Sequence, residues 1–124
     1  MPARSTPPRV ADIVAASLHA HGVRHAFGMP GGEVVTLIDG LGKAGIAFHL
    51  ARHETAAAIM AAGASAMTGH PELLVTTVGP GLTNAVNGIA DAAQYAQMMV
   101  ALFSGIVWLS RDTMTASHIR FFLK

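Results

Sequence analysis

Leu73-Leu74-Val75-Thr76-Thr77-Val78 is an unbroken run of apolar and β-branched residues that stops at Gly79-Pro80-Gly81. A run of that kind, closed by glycine and proline and followed by a helical pattern over about 82–94, reads as a strand–loop–helix unit. Two similar units precede it. Residues 23–27 run into Gly28-Met29-Pro30-Gly31-Gly32 and a helix over about 33–41, with Val34, Leu37, Ile38 and Leu41 inward. Residues 46–50 lead through Arg52-His53 to a helix over about 54–68, nearly all alanine, glycine and methionine. Another apolar strand is expected over 98–103. Ahead of them all, Val10, Ile13, Val14, Ser17 and Leu18 fall at helix-face spacing over 9–21, with Gly22 as the stop. Strands that are apolar throughout, not alternating, are buried on both faces. The expected fold class is therefore α/β: a doubly wound parallel sheet with helices on both faces and its ligand loops at the carboxyl ends of the strands.

At 124 residues the chain supports one domain with a modest core. Apolar residues make up 52% and charged residues 12%, against about a quarter in ordinary domains, and mean hydropathy is +0.45. That excludes a disordered chain. The absence of cysteine excludes a disulfide scaffold and a thiolate metal site. Net charge is +1 with no basic block, so no nucleic-acid partner is expected. The longest apolar stretch, 98–109, is broken by Ser104 and Gly105 and falls short of the roughly 20 residues of a membrane span. No membrane partner is expected, and a cytoplasmic location follows. So little charge implies that a partner covers part of the surface, and the alanine-rich helix over 54–68 suits close packing, at an oligomer interface or as a buried core helix. Residues 1–8 read as a flexible lead-in and 9–105 as the domain. The remaining 106–124 read as an atypical tail without clean period, of the kind a truncation or frameshift leaves.

Three loops offer chemistry. In Gly28-Met29-Pro30-Gly31-Gly32, glycine permits positive φ and close approach of a ligand to the backbone; a tight strand-to-helix turn explains it as well. Glu54, at a helix start after Arg52-His53, serves either as an electrostatic cap or as a partly buried carboxylate suited to proton transfer, with Arg52 or His53 able to pair with it. In Gly79-Pro80-Gly81-Leu82-Thr83-Asn84, the glycines leave room for a flat ligand and Thr83 and Asn84 offer hydrogen bonds, or Thr83 simply caps a helix. All three share one sheet edge, which favours a common pocket. The seven histidines show no ligand spacing, so no metal site is expected. The first loop is neither a dinucleotide fingerprint nor a Walker loop, which disfavours a nucleotide-binding domain.

In order and spacing, Gly28-Met29-Pro30-Gly31-Gly32, Arg52-His53-Glu54 and Thr77-Val78-Gly79-Pro80-Gly81-Leu82-Thr83-Asn84 resemble the N-terminal pyrimidine-binding domain of thiamine diphosphate enzymes. The likeness is to the acetolactate synthase and 2-oxo-acid decarboxylase group. It implies that Glu54 is the catalytic residue, hydrogen-bonding N1′ of the cofactor's aminopyrimidine and favouring the imino form that deprotonates the thiazolium. It also implies that Gly31, Glu54, Gly79, Pro80, Gly81, Thr83 and Asn84 line the thiamine diphosphate site. Mg2+ is expected only through a separate diphosphate domain, whose Gly-Asp-Gly and paired asparagines have no match here. The implied activity is decarboxylation or carboligation of a 2-oxo acid, a lyase or transferase reaction, with little activity from this chain alone. The implied partner is a second copy or a chain carrying the diphosphate domain. The alternative is a non-catalytic interaction module that keeps the fold.

Overall fold

The computed structural model describes residues 7–94, 99–103 and 106–110. Helix α1 (Val10–Ala20) is followed by β1 (His25–Gly28), α2 (Val35–Lys43), β2 (Ala47–Leu50), α3 (Glu54–Thr68), β3 (Glu72–Val75), α4 (Pro80–Gln94), β4 (Met99–Phe103) and β5 (Ile106–Ser110). The strands form one sheet in the order β2-β1-β3-β4-β5. The pairs β1–β2, β1–β3 and β3–β4 are parallel, as the apolar strands require. Strand β5 is antiparallel to β4, with Met99 opposite Ser110 and Phe103 opposite Ile106. The residues of β5 carry no clean sequence period, but Ile106, Val107 and Trp108 favour extended backbone. Only two residues separate the two strands, too few for a parallel crossover. Residues 1–6 and 111–124, most of the expected lead-in and tail, lie outside the described residues.

Successive side chains on a strand point to opposite faces, and the two cores follow that alternation. Phe27 of β1 and Leu74 of β3 join Ala57, Ala58, Ala61 and Ala62 of α3 and Ala85 and Ala92 of α4. Ala26, Leu73 and Val75 join Ala15 and Leu18 of α1 and Leu41 of α2 on the other face. Helices α3 and α4 pack with almost no side chain between them: a Cβ at Gly88 would stand 2.5 Å from the Cβ of Ala58. Helix α3 keeps the bounds expected of it because both ends are marked. The His53 ring accepts from the Thr55 amide at 3.2 Å, and the chain leaves the helix at Gly69 in the left-handed conformation.

Strand β3 ends at Val75, three residues before the expected 78, because the chain turns away from the sheet and the Val78 amide finds a carboxylate instead of a neighbouring strand. Helix α4 begins at Pro80, earlier than about 82, since proline suits a first turn whose amides lack partners. At the opposite edge of the sheet, Glu72 has no exposed surface and accepts from the His25 amide at 2.8 Å and the Thr68 hydroxyl at 3.4 Å. Glu72→Ala orphans that amide and is expected to cost about 1–3 kcal/mol of stability, read from urea unfolding. An unchanged midpoint would mean that these bonds contribute nothing net.

Candidate functional site

The chain moves from β1 to β2 on one side, then crosses to β3 on the other side of β1. The loops after β1 and β3 leave neighbouring strands at the carboxyl edge, where sheets of this order bind ligands, and the Val78 amide of the third loop donates to Glu33 just after the first. The loop after β2 lies beside them and delivers Glu54 as the first residue of α3. Glu54 is 8% exposed, a low figure for a carboxylate with no cationic partner among the described residues. Asn84 Nδ2 donates to its Oε2 at 3.1 Å. Among the described residues no donor reaches Oε1. Thr55, next in α3, donates its hydroxyl to the Asn84 carbonyl, so the first turns of α3 and α4 are joined twice.

A Cβ at Gly81 would stand 3.5 Å from Glu54 Oε1 and would overlap the hydroxyl of Thr77. A Cβ at Gly31, in the first loop, would overlap the methyl of the same Thr77. Thr77 thus sits between the two glycines and fills the gap that each leaves. Gly79 turns the third loop into α4 with φ of +63°, a conformation that side chains with a Cβ resist. Pro80 follows it, exposed, and Thr83 closes the turn: its amide and hydroxyl both donate to the Gly79 carbonyl, at 3.1 and 2.8 Å. The Thr83 hydroxyl is therefore engaged inside the loop.

The structure brings Glu54, Gly79, Pro80, Gly81, Thr83 and Asn84 to one place, with Gly31 facing them across Thr77. Three local readings change. Positive φ is not used at Gly28, Gly31 or Gly32; the missing side chains at Gly28 and Gly31 give clearance to β3 and Thr77 instead. Neither Arg52 nor His53 pairs with Glu54: both are exposed, and His53 is occupied as the helix cap. Thr83 lies within the first turn of α4, not before it as a cap.

Two further residues belong to this edge: Thr77, part of the motif but given no role there, and Glu33, which sequence reasoning missed. Thr77 reads as strand from its composition. Glu33 Oε1 accepts from the Val78 amide at 3.1 Å, tying the first loop to the third. Its carboxyl is held below the ordinary glutamate range by its own amide and then by that of Val78. An acidic residue directly after two glycines was a visible signal, but its partner lies 45 positions away. Among the described residues no group of three His, Asp or Glu side chains could hold a metal ion, and no described helix is long and apolar enough to cross a membrane.

The sequence profile of the thiamine pyrophosphate enzyme N-terminal TPP binding domain matches residues 8–110. The chain is also similar to the acetolactate synthase large subunit of Buchnera aphidicola from Acyrthosiphon pisum, 44% identical over 93 residues, covering 74% of this chain and 16% of that protein. It is 39% identical over 92 residues to the isozyme 2 large subunit of Escherichia coli K12, covering 74% of this chain and 17% of that one. Against acetolactate synthase of Bacillus subtilis the identity is 35% over 103 residues, covering 83% and 18%. The chain spans less than a fifth of the length of these curated relatives.

Proposed function

The chain belongs to the thiamine pyrophosphate enzymes, matching their N-terminal TPP binding domain, and from that membership we propose that it supplies the aminopyrimidine-binding half of an acetolactate synthase-like active site. The observation that carries the reading is Glu54: a buried carboxylate with one oxygen tethered by Asn84 and the other without a donor, beside the side-chain-free position of Gly81. This chemistry fits an aminopyrimidine, a flat ring with a basic nitrogen that can share a proton with a carboxyl group. When bound, thiamine diphosphate supplies an electron sink for cleavage next to a carbonyl, which suits a 2-oxo acid substrate.

The work of this chain is to hold and orient. Asn84 fixes Oε2, which leaves Oε1 as the acceptor that holds a proton shared with the ring nitrogen. Gly81 puts no side chain beside Oε1, and Gly79, Pro80 and Gly31 form the loop walls. Thr83 keeps the third loop in its turn. Mg2+ and the diphosphate would be held by a second domain, on a partner chain or a second copy.

That partner has a surface to meet. Ala56, Ile59, Met60, Gly63, Ala66 and Met67 form the outward face of α3; Ile59 is 54% and Met67 89% exposed, and Glu54 is the only charged residue of the helix. Burying such a face is favourable at about 25 cal/mol per Å². Met60→Glu is expected to weaken association at least about tenfold in gel filtration, as loss of an interface anchor does. A parent chain that runs as a monomer at micromolar concentration counts against the interface.

The functional test adds a chain carrying the diphosphate domain, thiamine diphosphate and Mg2+, and follows release of CO2 from a 2-oxo acid. Cofactor-dependent turnover supports the proposal. A complex that forms without turnover favours the non-catalytic module.

A further inference from the structure

We infer that Glu33 is a positioning residue that latches the Thr77–Gly81 loop to the end of the first loop and so sets the distance between Gly81 and Glu54. The inference rests on the reading of this edge as the cofactor site, and it adds a residue from outside the motifs that led to that reading. The third loop leaves the sheet at Val75, so Thr76 to Gly79 have no neighbouring strand to hold them. The Val78 side chain is 53% exposed and gives the loop little anchorage by burial. Thr76 is anchored by complete burial; beyond it, the long-range hydrogen bond that holds the loop among the described residues is Val78 N–H to Oε1 of the exposed Glu33 at 3.1 Å. Thr77, next to Val78, occupies the gap between Gly31 and Gly81, and Gly81 is the position that flanks Glu54 Oε1. The order of action is Glu33, then the Val78 amide, then Thr77, then Gly81. A shift of the loop by one side-chain width at Thr77 would close the space at Gly81 or open it to water.

Glu33 makes the bond as an anion. Its carboxyl is held below the ordinary glutamate range, by its own amide first and that of Val78 second. A carboxyl lowered by folding keeps its contribution above the unfolded value and loses it as pH falls through the lowered one. The bond is therefore intact at neutral pH and weakens only in acid. The other titratable side chains of this edge are Glu54 at the start of α3 and the exposed Arg52 and His53 just before it. They are unaltered in the Glu33 variants, which separates their titration from that of Glu33.

The test is amide NMR on the full 124-residue chain. In Glu33→Ala the Val78 amide should exchange with water about tenfold faster, the loss of one hydrogen bond, and the Gly79, Gly81 and Asn84 resonances should move with it. Glu33→Gln keeps an acceptor oxygen of the same reach and should restore all of them. In the parent chain, acid titration should shift the Val78 amide with a midpoint below the ordinary glutamate range, and Glu33→Gln should abolish that shift. The parent titration needs no variant to fold. The inference is overturned if the Val78 amide ignores both Glu33→Ala and acid, or if it responds while Gly81 and Asn84 stay still. Glu54→Gln turnover in the assembled enzyme tests the cofactor reading separately, so either can fail without the other.

Discussion

Glu54→Gln in the assembled enzyme is expected to lower kcat by about a hundredfold or more, the range of a lost general acid–base group, while cofactor affinity changes by less than about tenfold. The asymmetry comes from Asn84. Its Nδ2 is a donor and holds Oε2 of Glu54 at 3.1 Å. In the glutamine variant that donor selects the amide oxygen and turns the amide nitrogen toward Gly81. The position facing the ring then presents an amide N–H, which can bond to the ring nitrogen but cannot exchange a proton with it. The side-chain shape is preserved, so the cofactor can still enter. The proton shared with the ring nitrogen has lost its holder, and only turnover suffers. Steady-state kinetics with a cofactor titration separates the two effects. Turnover within a few-fold of the parent would remove Glu54 from the chemistry and with it the proposed site.

Gly28→Val should have the largest effect on folding, a loss of more than about 4 kcal/mol and so most of the stability of a small domain. Gly28 closes β1, buried between β2 and β3, and its carbonyl accepts from the Ala51 amide at 2.9 Å. A Cβ here would overlap the carbonyl oxygen of Val75. The obstacle is the Val75 main chain, held by the β1–β3 register that pairs Gly28 with Val75, so no rotamer change relieves it. The strands would have to part at the point where the first and third loops leave the sheet. Circular dichroism through a urea titration reads the loss. A midpoint within about 1 kcal/mol of the parent would show that the two strands tolerate the separation.

Much of the fold is written locally. Continuous apolar strands divided by glycine-marked turns, alternating with helices, point to a mainly parallel sheet covered on both faces, since such strands need burial on both sides. Helix α3 is legible to the residue, since His53 and Gly69 mark its ends by side-chain capping and a left-handed turn. Glu54 and the Gly79-Pro80-Gly81 loop are legible from position as well as from motif. They follow strands at the edge where such sheets bind ligands.

Other features lie beyond any local pattern. Strand β5 shows no period in the sequence, and its place comes from pairing with β4. The first-loop glycines look alike on paper, yet Gly28 serves the sheet, Gly31 makes room for Thr77 and Gly32 meets nothing within 4 Å. Asn84 and Glu54 are 30 residues apart and Glu33 and Val78 are 45 apart. Periodicity, composition and turn chemistry act over a few residues, so they determine which elements form and which loops share an edge. Which oxygen of Glu54 is tethered, what fills the gap between Gly31 and Gly81, and which carboxylate holds the third loop depend on side chains that meet only after the strands have crossed. Those contacts belong to the tertiary structure alone.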